Sequence, residues 1–241
     1  MEESGPVLRE RADDIEIVRL NRPGKRNALD TATLAALTAT LDELAADTTL
    51  RVLVLSTSSV AAFCAGADVT ERLDHEAGVA RMAAFARLYT QLDEFPVPVI
   101  SVLVGNCVGA GAEIIAASDL RVGGDNLRLA WAGARLGVPV GPARLVPLIG
   151  VARAKDLILT GRVVGMEEAR EVGLLQRTAA AGEAETVALQ LAAQVARQDP
   201  AGLRVLKQMF RELDSSGQRV AYENAHLMRF QQHGVGLPGR R

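Results

Sequence analysis

Histidine and cysteine are scarce in this 241-residue chain, with three and two copies respectively. The two cysteines, Cys64 and Cys107, show no metal-ligand spacing and no disulfide framework. All three histidines lie outside the motifs near them, so both thiols are read as small packing groups rather than nucleophiles. Neither sign of charge is in surplus. With 27 Lys and Arg against 29 Asp and Glu, the formal net charge is -2. That balance argues against a nucleic-acid surface and against a polybasic membrane face. Long apolar runs are missing too, since the stretch 97–104 is too short to span a bilayer. The start, Met1-Glu2-Glu3-Ser4, is acidic and lacks the apolar centre of a signal peptide. These absences predict a reduced, cytoplasmic protein with no nucleic-acid or membrane partner.

What is present is a strand–helix alternation. Residues 15–20 alternate as a strand and end at Pro23-Gly24. Asp30 caps a helix whose apolar stripe is Leu34, Leu37, Leu41 and Leu44. Val52-Leu53-Val54-Leu55 suits a strand covered on both faces. Residues 69–95 read as helix and loop, followed by strands at 99–104 and 120–122 around a helix at 111–118. This order predicts an α/β core. Beyond Val151 the character turns helical, with stops at Thr160-Gly161 and Gly173. Helices are expected at 184–197 (Val187, Leu191, Val195), from Pro200 onward (Leu203, Leu206, Met209, Phe210) and at 218–232.

Two small-residue turns carry the chemistry. Gly66-Ala67-Asp68 and Gly109-Ala110-Gly111-Ala112-Glu113 each leave backbone N–H groups uncovered by side chains. The second opens a helix, because Glu113-Ile114-Ile115-Ala116-Ala117 continues it with an apolar face. Two backbone donors, one at a helix N-terminus, are what an oxyanion hole needs to polarise a carbonyl. Glu113 lies one turn further on, on nearly the same face as the Ala110 N–H. Asp68 ends the first turn and is read as a cap for the helix that follows.

Over about residues 10–215 the chain resembles the crotonase (enoyl-CoA hydratase/isomerase) superfamily. The likeness runs through Leu20-Asn21-Arg22-Pro23-Gly24-Lys25-Arg26-Asn27-Ala28-Leu29, then Ala62-Phe63-Cys64-Ala65-Gly66-Ala67-Asp68. It continues through Gly105, the 109–113 turn and Ala117-Ser118-Asp119-Leu120-Arg121. Thr160-Gly161-Arg162 with Glu167-Glu168-Ala169 and Gly173-Leu174 follows. The resemblance implies an α/β, crotonase-like spiral of ββα units over 1–180. It also implies a C-terminal helical oligomerisation region over 181–241 that builds a homotrimer or hexamer.

The same resemblance implies an acyl-CoA thioester substrate of fatty acid metabolism, with no metal or redox cofactor because coenzyme A is part of the substrate. It maps the oxyanion donors onto the N–H groups of Ala67 and Ala110, and one of two catalytic glutamates onto Glu113. The second glutamate's position falls on Gly133, in the stretch 131–137. Loss of that group leaves room for double-bond shifting by one base, or for an acid from Glu71, Asp74 or His75. A non-catalytic acyl-CoA binding paralogue, or an acyl-CoA hydrolase or decarboxylase, is the alternative. Lys25 and Arg26 suit the coenzyme A phosphates, with the backbone near Ala28 and Ala65 around the adenine. Gly66 and Gly109 shape the two turns. Trp131 packs in the core or lines the acyl pocket, and Arg135 either meets an anionic acyl group or is solvated or salt-bridged.

Overall fold

The computed structural model describes residues 5–234, 236 and 237, so the acidic start and the last four positions lie outside the described residues. Strands β1 (Val7–Ala12) and β2 (Ile15–Leu20) form an antiparallel hairpin. There follow α1 (Thr31–Ala46), β3 (Val52–Thr57), β4 (Ala62–Cys64), α2 (His75–Glu94), β5 (Val99–Leu103), β6 (Asn106–Val108) and α3 (Ala110–Ala117). Next come β7 (Leu120–Gly124), β8 (Arg128–Ala130), α4 (Pro142–Ile149), α5 (Val151–Thr160), α6 (Met166–Glu171) and β9 (Arg177–Ala179). The C-terminal helices are α7 (Ala184–Ala196), α8 (Pro200–Asp214) and α9 (Ser216–His233).

The larger sheet has the order β1-β2-β3-β5-β7-β9 and is parallel from β2 onward. The smaller sheet, β4-β6-β8, is parallel throughout. Each pair β3–β4, β5–β6 and β7–β8 therefore puts its first strand in one sheet and its second in the other. A helix follows each pair. That is the spiral of ββα units the sequence leads one to expect, in a mixed α/β fold.

Strand β3 shows why its run is apolar at every position. Leu53 and Leu55 enter the core beneath α1 and α2, whereas Val52 and Val54 face a second core on the opposite side. Successive side chains of a strand point to opposite faces, so a doubly covered strand needs no polar positions. On α1, Leu34, Leu37, Leu41 and Leu44 are all buried. Burying a leucine fully stabilises the fold by about 1.5–3 kcal/mol relative to leaving it exposed. Asp30 accepts from the Thr33 N–H at 2.8 Å as the expected cap.

The C-terminal helices use their apolar faces in two ways. Helix α7 lies on the larger sheet through Ala184, Ala188, Leu191, Ala192 and Ala196, so it is part of the core's packing. Its valines, Val187 and Val195, sit at the edge of that contact. Small alanines let the helix approach the sheet closely, and they carry no period that stands out in sequence. Helix α8 turns its apolar stripe outward. Leu206, Met209, Phe210 and Leu213 are exposed, while Lys207 is the buried position. The Lys207 ammonium donates to Val97 O at 2.9 Å and to Asp119 at 2.7 Å, which holds the helix against the end of β5.

Candidate active site

The two turns meet through glycines in conformations that side chains rarely adopt. Gly66 has φ +101° and Gly109 φ +54°, both in the left-handed half of the map. A Cβ on Gly66 would lie 3.0 Å from Val108 O and 3.7 Å from Ala110 N. The turn after β4 and the first turn of α3 are therefore in direct contact. Among the described residues neither the Ala67 N–H nor the Ala110 N–H has an acceptor. The Ala110 donor is unpaired because a helix cannot satisfy its first N–H groups. The neighbouring donors are occupied: Gly109 N reaches Ala130 O at 3.0 Å, and Ala65 N reaches Arg26 O at 3.0 Å.

The segment from Arg22 to Leu29 is stitched onto the first turn. Leu29 N donates to Gly66 O at 2.8 Å, and Asp68 N donates to Leu29 O at 2.9 Å. Buried Asn27, at φ +54°, ties the segment down through Thr57 Oγ1 at 2.7 Å and Ala62 O at 2.9 Å. Asparagine tolerates that conformation better than most residues. Lys25 and Arg26 are exposed beside this turn and have no ion-pair partner among the described residues. The N–H of Ala28 is bonded to Lys25 O at 3.1 Å, and its carbonyl accepts from Arg22. Asp68 does not cap a helix. It accepts from Thr70 N at 3.0 Å and Thr70 Oγ1 at 2.6 Å, and it pairs with Arg22. Asp74 caps α2 instead, accepting from Ala77 N at 2.8 Å.

Ala65, Gly66, Ala67, Gly109, Ala110, Ala132 and Gly133 line one cavity of about 230 Å³. The rest of its wall is apolar except for Tyr89: Met82 and Phe85 of α2, then Leu136, Val138, Val140, Leu227 and Leu237. Sequence reasoning missed the α2 wall. The spacing Met82, Phe85, Tyr89 is a helical stripe, but nothing in it distinguishes a cavity wall from core. A larger cavity, about 670 Å³, lies among α4, α5 and α9 and includes neither turn. Among the described residues no carboxylate lines the smaller one, Glu113 included.

Several candidates lie elsewhere. Trp131 is buried in the core rather than on the cavity wall. Arg135 is exposed, donates to Gly161 O at 2.8 Å and is not among the residues that line this cavity. Glu71 accepts from Thr31 N at 3.1 Å and pairs with Arg81, Asp74 is engaged as a cap, and His75 is exposed. Gly133 has no space for a glutamate. Its Cβ would lie 2.9 Å from Val138 O, a backbone atom that cannot rotate away.

Glu113 lies in the first turn of α3 and is completely buried. Its Oε2 accepts from Arg144 Nε of α4 at 2.6 Å, and its Oε1 has no described partner. Burial pushes the Glu113 carboxyl up, to about 7. Arg144 pulls it down, while Glu223 of α9 pushes it up. Trp131 Nε1 is likewise buried with no hydrogen bond, although its proximity weighs weakly toward ionisation. Burial opposes the charge on Arg144, but Glu113 and Glu223 outweigh it and hold the guanidinium protonated. Burial also pushes the Cys64 thiol up to about 12 and raises Cys107, so neither supplies a thiolate at neutral pH. Among the described residues no cluster of His, Cys, Asp and Glu could hold a metal, and no helix is long and apolar enough to cross a membrane.

The ββα spiral, with two uncommitted N–H donors at one apolar cavity among the described residues, defines a mixed α/β fold of two largely parallel-stranded layers. Residues 10–234 match the family model for enoyl-CoA hydratase/isomerase, and the chain belongs to that family. The Escherichia coli 2,3-dehydroadipyl-CoA hydratase is 31% identical over 205 residues, covering 84% of this chain and 80% of that protein. The mouse enoyl-CoA hydratase domain-containing protein 2, mitochondrial, is 35% identical over 202 residues, covering 79% and 67%. The crystal structure of a Bacillus anthracis enoyl-CoA hydratase superposes with a TM-score of 0.82 at 26% identity, covering 98% of this chain and all of that one.

Proposed function

We propose that this enoyl-CoA hydratase/isomerase family enzyme binds a CoA thioester with its carbonyl oxygen between the N–H groups of Ala67 and Ala110, and that Glu113 is its one acid–base group. The observation that carries this reading is the pair of unpaired donors at one cavity, with Glu113 a single turn below Ala110. Negative charge moves onto the thioester oxygen as an enolate-like state forms at the α-carbon. One preorganised donor is worth about 2.7–4 kcal/mol of transition-state stabilisation in a dry site. Glu113 Oε1, the oxygen without a partner, is the proton acceptor.

With Glu113 buried behind the wall as the one acid–base group and no space for a second glutamate at Gly133, one-base chemistry suits this site best. Shifting a double bond takes a proton from the α-carbon and returns it at the γ-carbon, so one carboxylate completes the cycle. Hydration must activate water and also protonate the α-carbon, and loss of one positioned acid–base group forfeits about 10²–10⁴ in rate. Isomerisation of a 3-enoyl-CoA is therefore expected to outpace hydration of crotonyl-CoA. Uncharged acyl chains are expected to be the better substrates, because among the described residues no Lys or Arg lines the cavity to meet a terminal carboxylate such as an adipyl group carries. Lys25 and Arg26 would face the coenzyme A phosphates. The outward stripe of α8 would be covered in a homotrimer or hexamer.

The test is turnover of both substrates by the wild type and Glu113→Gln. The glutamine keeps size and hydrogen bonding but loses the titratable proton. Loss of both activities supports the reading, and unchanged activity removes Glu113 from the mechanism. Tight acyl-CoA binding without any turnover by the wild type would favour a binding role instead.

A further inference from the structure

A buried arginine lies between two buried glutamates, and only one of the three groups came from the expected site. Arg144 Nε donates to Glu113 at 2.6 Å, and its Nη2 bonds to Glu223. The side chains of all three are nearly sealed, at 3%, 0% and 6% relative exposure for Arg144, Glu113 and Glu223. The second Glu223 oxygen accepts from Ala143 N at 2.8 Å, which fixes α9 to the first turn of α4. The Tyr89 ring stacks on the guanidinium, 4.4 Å from its carbon to the ring centroid. Arg144 is thus held on three sides, by α3, α9 and α2. Only one oxygen of Glu113 is committed to it, and the other has no partner.

We propose that Arg144 and Glu223 are positioning residues for Glu113: Arg144 clamps Oε2 so that Oε1 alone is left for proton transfer, and Glu223 holds Arg144 from the C-terminal helix. The proposal rests on Glu113 being the acid–base group. A lone Arg–Glu pair would keep the carboxylate firmly ionised and a weak base. A second carboxylate on the same guanidinium divides that attraction and adds a repulsion. The charged and titratable groups packed around Glu113 are Arg144 from α4, Glu223 from α9 and Tyr89 from α2, with Cys64 of β4 beyond Tyr89. Burial raises the last two, so they remain neutral near pH 7. The Arg144–Glu223 pair is thus the only charged surrounding that bears on Glu113 among these groups. This gives Glu223, which lines the larger cavity among α4, α5 and α9, a part in the chemistry of Glu113.

The experiment is the pH profile of kcat/KM on a 3-enoyl-CoA for wild type, Glu223→Gln, Arg144→Lys and Glu113→Gln. Ionised Glu113 is the active form, so the rate falls as pH drops through its titration. Glu223→Gln keeps an acceptor for the Ala143 N–H but removes the negative charge. Its acid limb is expected to move to lower pH by about one unit, at the lower end of the shift a neighbouring charge produces. Arg144→Lys keeps the charge but loses the fork, and is expected to lower kcat about tenfold or more at nearly constant KM, as loss of a transition-state contact does. An acid limb in Glu223→Gln that superposes on wild type, with Glu113→Gln inactive, overturns this proposal while leaving the assignment of Glu113 intact. Full activity in Glu113→Gln overturns both. If Glu223→Gln does not fold, ¹³C NMR of the Glu113 carboxyl in the wild type decides. Titration in step with the acid limb supports the proposal, and a carboxylate ionised throughout from about pH 5 upward, as an unperturbed or salt-bridged glutamate is, overturns it.

Discussion

On the proposed mechanism Glu113 carries the proton transfer, and Gly133 leaves no space for a second glutamate. Glu113→Gln is expected to lower turnover by about 10²–10⁴, the contribution of a positioned acid–base group. It should also change the pH dependence of stability. The folded-state pKa, about 7, lies above the unfolded value of 4.5. Folded protein therefore holds more protons than unfolded protein between those limits, and stability falls as pH rises through that window. Glu113→Gln does not titrate there, and it leaves Arg144 paired one-to-one with Glu223. The melting temperature of the variant relative to wild type should accordingly be higher at pH 8 than at pH 5, and a constant difference would contradict the assignment. Gly133→Glu should not raise hydration and should lower the melting temperature, because its Cβ meets the Val138 carbonyl at 2.9 Å. A stable variant with faster crotonyl-CoA hydration would show that the segment 138–140 yields. At this scale sequence was informative where backbone mattered. Gly66, Gly109 and the small residues between them betray the turns, since few side chains are compatible there. Arg144 and Glu223 carried no such mark. A charge inside Pro142-Ala143-Arg144-Leu145 is ambiguous until the fold shows what lies opposite.

Among the elements, α3 does the most for the site. Its first N–H has no acceptor among the described residues, its fourth residue is Glu113, and Gly109 lets it follow β6 without a loop. Ala110→Pro tests the free donor. Proline is tolerated at the first helical position, and its missing N–H costs the helix nothing there. The variant is expected to stay folded by circular dichroism while kcat falls about 10²–10³. Retained kcat would show that the donor is not used. The long amphipathic elements were legible, α1 and β3 above all, because burial imposes a period on them. Short strands β4, β6, β8 and β9 were not, since three residues cannot show a period. Helix α8 was found by its period, and its apolar side faces outward. Periodicity reports an apolar face without saying whether the same chain or another covers it.

For the whole molecule that face has a consequence. Leu206, Met209, Phe210 and Leu213 form a stripe at helical spacing, and contiguous exposed apolar surface of this kind marks an interaction site. Light scattering at micromolar concentration is expected to return three or six times the chain mass. Phe210→Glu with Leu213→Glu should reduce it toward one. A wild type that is monomeric would contradict the assembly. The central claim, however, is a carbonyl held by Ala67 and Ala110. Isotope-edited infrared spectroscopy of an acyl-CoA labelled with ¹³C at the thioester carbonyl measures that contact directly. Two donors on the oxygen weaken the C=O bond, so its stretch is expected to move to lower frequency on binding to wild type and to recover part of that shift in Ala110→Pro. A bound thioester whose carbonyl stretch does not move, or moves equally in both proteins, would contradict the account.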